Sequence, residues 1–114
     1  MIRESVGLNN YITYINDRLM YLKMTDGGVS SNEYKFYNTL RDRIKQWGDT
    51  HALFYSLIRD KIDMSHVRRA IGVSERVAYR MMDKQRKEFI KFITLQEQIL
   101  DEKYPHFMEV NDEE

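Results

Sequence analysis

From Ser74 to Tyr104 the chain runs without a single glycine or proline. Nothing in that stretch breaks a helix by backbone chemistry, and Pro105 is the first residue that must. The scarcity holds elsewhere too: the whole chain has one Pro and five Gly. An all-β domain of this length needs many turns and more of both residues, so the expectation is an all-α fold of about five helices. With 114 residues, 42% of them hydrophobic, the chain can bury one modest core. We therefore expect a single helical domain over 1–106 and an acidic, frayed tail over 107–114. The chain has no Cys, which excludes a disulfide scaffold, a Cys-based zinc site and a Cys nucleophile. No apolar run approaches the length of a membrane span and no signal peptide opens the sequence. A soluble protein of the cytoplasm is expected, with no membrane partner.

Apolar residues mark the helices by their spacing. Leu8, Tyr11, Ile12, Ile15, Leu19 and Leu22 recur at helical intervals over roughly 6–24, and Gly27-Gly28 end that segment. Ser30, with Glu33 three places on, reads as a capping box for the next helix. That helix carries Tyr37, Leu40, Ile44 and Trp47, and Gly48 is its expected stop. Asp49 or Thr50 would cap a third helix with Leu53, Phe54, Leu57 and Ile58 as its apolar face. A break at Asp63-Met64 follows. Ser65 would then cap a short helix from His66 to Ile71, closed by Gly72. Ser74 would cap the long last helix.

Charge is neutral in sum and polar in arrangement. Residues 59–91 hold ten Lys/Arg against five Asp/Glu; residues 92–114 hold one Lys against seven Asp/Glu. Solvated helix faces are the plain explanation of such blocks. The basic block, however, contains MSHVRRAIGVSERVAYRMMD over 64–83, the layout of a helix-turn-helix. Gly72 tolerates the left-handed turn. Val67, Ile71, Val73, Ala78 and Met81 can pack the two helices together, and Ser74 caps the second so that its first turn can project into a major groove. On that helix Glu75, Arg76, Tyr79 and Arg80 are the candidate base-reading residues. Arg makes bidentate bonds to guanine, Glu accepts from cytosine, and Tyr packs on a thymine methyl or donates to phosphate. Ser65, His66, Arg69, Lys84, Arg86 and Lys87 are the candidate phosphate contacts, which position a duplex without specifying its sequence.

The run AIGVSERVAYRMM resembles the helix-turn-helix of phage late-gene transcription activators of the RinA/ArpU type, themselves similar to the promoter-reading fourth region of bacterial sigma factors. The preceding ALFYSLIRDKIDMSHVRRAIG shares their layout, so the resemblance spans about residues 50–90. The small Ala of the family's recognition helix falls on Ala78 and its Arg on Arg80. The resemblance implies a sequence-specific, double-stranded DNA-binding regulator, an activator of late genes, with RNA polymerase as a possible partner. One departure stands out. Arg68 occupies a position where such motifs carry Ala or Gly, so its head must lift to solvent along a buried stem, or the helices must stand further apart.

Two other features bear on function. Ala78, Met82, Gln85, Phe89, Phe92, Gln96 and Ile99 are spaced as a heptad seam, which would serve intramolecular packing or a homodimer through the 78–99 helix. The alternative to a regulator is a helix-turn-helix used as a scaffold for protein interaction, as in an anti-repressor or a small terminase-like DNA-packaging subunit. His51, His66 and His106 lie too far apart in sequence for metal-ligand spacing, and the acidic pairs are ordinary for a chain this charged. No catalytic constellation, cofactor or metal is expected.

Overall fold

The structure, a computed structural model, describes residues 7–59 and 64–105. The expected break at Asp63, the side chain of Val67, and the acidic tail over 107–114 lie outside the described residues. The chain is all-α, as its lack of helix breakers requires. The helices are α1 (Leu8–Met24), α2 (Asn32–Thr50), α3 (Ala52–Arg59), α4 (Met64–Ile71) and α5 (Glu75–Lys103), with a short 3-10 turn at Gly28–Ser30. None of the helices among the described residues is long and apolar enough to cross a membrane.

Side-chain contacts set the helix directions. Tyr14 of α1 meets Tyr37 edge-on at 5.9 Å, and Arg18 grips Glu33 through two bonds of 2.5 and 2.9 Å. Higher numbers on α1 thus meet lower numbers on α2, and the pair is antiparallel. Along the α2–α5 contact, Asn32 donates to the Pro105 carbonyl at 3.1 Å and Arg43 donates to Gln96 at 2.5 Å. Trp47 lies 4.6 Å from Phe89, ring to ring. That pair is antiparallel too. The core is the apolar stripe of each: Leu8, Tyr11, Ile15 and Leu19 from α1, Phe36, Leu40 and Ile44 from α2, and Phe89, Ile93 and Leu100 from α5. Each such large side chain contributes on the order of 1.5–3 kcal/mol by leaving water. Burial raises the hydroxyl pKa of Tyr11 and of Tyr37 well above the usual phenol range; Glu97, which accepts from Tyr11, reinforces the first, and the Tyr14 hydroxyl the second.

Several local expectations shift. The cap of α2 is Ser31, not Ser30: its hydroxyl accepts from the Tyr34 amide at 3.2 Å, while Ser30 donates to the Gly27 carbonyl. Glu33 closes no capping box and pairs with Arg18 instead. Gly48 does not stop α2, which continues to Thr50. It is buried under the Tyr55 ring, from which a Cβ at this position would sit only 2.7 Å. Thr50 lies within α2 and donates to the Trp47 carbonyl, so it caps nothing. On α3 the buried residues are Phe54 and Tyr55, and Leu53 is exposed. Ser65 falls inside α4 rather than before it.

Among the described residues, only α3 and α5 touch α4. The short helix therefore sits at the margin of the core, on the first turns of α5.

Candidate nucleic-acid interface

Local chemistry builds the junction of α4 and α5. The Gly72 amide donates to the Arg68 carbonyl at 2.9 Å, and Gly72 itself takes φ +68, the left-handed conformation that ends a helix cheaply only at glycine. Ser74 then adopts an extended backbone, and its hydroxyl accepts from the Val77 amide at 3.4 Å, satisfying one orphan donor of the new helix. Behind this turn Ala78 is fully buried and Met82 nearly so, while Ile71 packs partly against the core. Met81, expected to join that packing, is 43% exposed because it lies off the buried stripe. The layout is that of a helix-turn-helix.

The four candidate base readers divide between two faces of α5. Arg76 and Arg80 are exposed and, among the described residues, make no ion pair. Glu75 and Tyr79 instead line the cleft that α5 forms with α4, together with Ser65 and Arg68. There the Arg68 guanidinium donates to the Glu75 carboxylate at 3.3 Å. Arg68 resolves its sequence conflict by the first of the two routes: it is half-buried, with its charged head on a neighbour at the surface.

The phosphate candidates also divide. Ser65, His66 and Arg69 are exposed on α4, and Lys84 and Lys87 on α5. Arg86 is half-buried at the edge of an apolar groove lined by Leu8, Phe54, Leu57 and Met82, off the outward face. It donates to Asp83 at 2.9 Å, and Lys87 pairs with the same carboxylate at 3.2 Å. Arg86 first and Lys87 second hold the Asp83 carboxyl below the usual carboxylate range.

The residue that sequence reading missed is Lys91. Arg76, Arg80, Lys84, Lys87 and Lys91 follow at steps of four, four, three and four, all exposed, opposite the buried Ala78, Met82, Phe89 and Ile93. At 1.5 Å per residue they form a cationic line about 22 Å long. The signal was present in the spacing, but the motif template ends before it. Helix stability accounts for Lys87, through its pair with Asp83 one turn back, but not for Arg76, which stands in the first turn, where the helix dipole disfavours a cation.

Among the described residues no group of three His, Asp or Glu is placed to hold a metal ion. Compared with protein-family models, with curated proteins and with solved structures, the chain finds no match.

Proposed function

We propose that this chain is a sequence-specific, double-stranded DNA-binding transcription regulator of phage type, an activator of late genes, that enters a major groove with the first turns of α5. One observation carries the reading. Two arginines one turn apart, Arg76 and Arg80, stand exposed and, among the described residues, without an ion pair, directly after a glycine turn and a serine cap. Guanidinium groups so placed suit guanine edges. Lys84, Lys87 and Lys91 continue the same face and suit the flanking phosphates. RNA polymerase is the further partner that activation requires.

The test is selection of bound duplexes from a random pool, followed by titration of the enriched site. Arg80→Ala should cost on the order of 1–3 kcal/mol at that site and relax the preference at one base position. Unchanged specific binding at fixed salt would show that α5 does not read bases through Arg80.

A second reading, a scaffold for protein interaction or DNA packaging, draws on a different observation. Arg43, Gln46, Trp47, Phe92, Gln96 and Ile99 line an open groove on the far half of α5. Of the heptad seam, only this far half is open to a second copy, because the earlier seam residues Ala78, Met82 and Phe89 are buried inside the subunit. Light scattering separates the two readings. A monomer or dimer fits the regulator, and a ring of eight or more copies fits packaging.

A further inference from the structure

Ser65, Arg68, Glu75 and Tyr79 line an open cleft of about 240 Å³ between α4 and α5. Three of them offer donors: a hydroxyl, a guanidinium and a phenol. The fourth is a carboxylate, and it sits on the guanidinium at 3.3 Å. We propose that this cleft is a site for a backbone phosphodiester of duplex DNA and that Glu75 is its resident occupant, holding the place of the phosphate on Arg68 until a duplex displaces it. The inference rests on the DNA-binding reading above, and it replaces base recognition by Glu75 with competition.

Three arguments support it. A guanidinium fork matches a carboxylate and a phosphate by the same geometry, so one anion can exchange for the other. The resident pair is weak enough to exchange: the side chains are 41% and 65% exposed, and ion pairs this open contribute little. Finally, a carboxylate left beside a polyanion raises the energy of the complex, so Glu75 must release Arg68 or weaken binding.

The sign of one substitution decides between the two roles. Fluorescence titrations would compare the intact chain, Glu75→Gln, Arg68→Ala and the double variant on the enriched duplex and on a random duplex. Circular dichroism would verify that each keeps its helix content. Glu75→Gln should bind both duplexes about two- to fivefold tighter, the range released by freeing an exposed ion pair. Its salt slope should steepen by up to about one unit for the added phosphate contact. Arg68→Ala should erase that gain in the double variant. Weaker binding of Glu75→Gln confined to the enriched duplex would overturn the proposal in favour of base reading. Equal affinity on both duplexes would overturn it by removing the competition. If Arg68→Ala abolished binding of inorganic phosphate in calorimetry yet left duplex affinity and salt slope unchanged, the cleft would belong to a free anion instead of a duplex. If the intact chain bound no duplex at all, the DNA-binding reading would fall first and this site with it.

Discussion

Gly48 shows how a single residue can be misread from its neighbours alone. A glycine near the end of an apolar-periodic segment reads as a stop, and the usual substitution rule says that alanine would stabilise a helix there by about 1 kcal/mol. The interior position reverses the sign. A Cβ at Gly48 would meet the Tyr55 ring at 2.7 Å, and that ring is itself buried. Overpacking of this kind costs about 1–3 kcal/mol. Gly48→Ala is therefore expected to lower the urea midpoint, whereas a rise would mean that the α2–α3 corner packs more loosely than described. Gly72 is the opposite case. Its partner is the conformation of its own backbone, so its role was legible from the sequence, while the role of Gly48 depends on a ring seven residues away. The same distinction separates Ser74 from Ser30. Ser74 is the only hydroxyl beside its helix start, whereas Ser30 and Ser31 compete, and the carbonyls of Gly27 and Gly28 take one hydroxyl each. Ser31 alone also reaches an amide.

At the scale of an element, α5 carries both the core and the candidate interface. Its apolar stripe was legible as far as Phe89 and drifted afterwards. The heptad seam continues through Phe92, Gln96 and Ile99, but the fully buried residues are Ala78, Phe89, Ile93, Glu97 and Leu100; Ala78, Phe89 and Leu100 follow at steps of eleven, and the nearly buried Met82 lies one such step before Ile93. Eleven residues fit three turns of a straight helix more closely than seven fit two, so a helix packing within one subunit follows that period. Phe92 and Gln96 are left half-buried and Ile99 44% exposed. The stability of α5 is also uneven along its length. Its second half is packed against α2, while its first turn relies on a cap of 3.4 Å and on α4. Ser74→Ala should cost about 0.5–1 kcal/mol, the lower part of the usual range for a lost cap. Amide exchange should locate the effect: the Val77 amide should exchange faster while Phe89 and Ile93 keep their protection. Equal loss along the whole helix would show that the cap holds the fold and not only the turn.

At the scale of the whole molecule, zero net charge is a poor guide to the field a duplex would meet. The molecule extends 49 Å along its longest axis, and its charges are sorted along α5. The line from Arg76 to Lys91 is basic, and the last turns hold Glu97, Asp101 and Glu102 against Lys103. Eleven residues of helix separate Lys91 from Glu102, about 16 Å at 1.5 Å per residue. At 0.1 M salt the Debye length is about 10 Å, so the acidic end is screened from the basic line and cancels little of its attraction. At 0.01 M it is about 30 Å, and the two ends act together. Binding by this face should therefore fall steeply with salt between about 0.05 and 0.2 M, with a log–log slope approaching about −2.7 from Lys84, Lys87 and Lys91 if each meets a phosphate, at about 0.9 per contact. Below about 0.02 M the curve should flatten, because the acidic end then opposes the approach. Lys91→Gln should reduce the steep part by about one unit and leave base preference unchanged. A slope shallower than about −1 over that range would mean that the cationic line meets water and not a duplex. The groove beside Trp47 would then be the better candidate for the working surface.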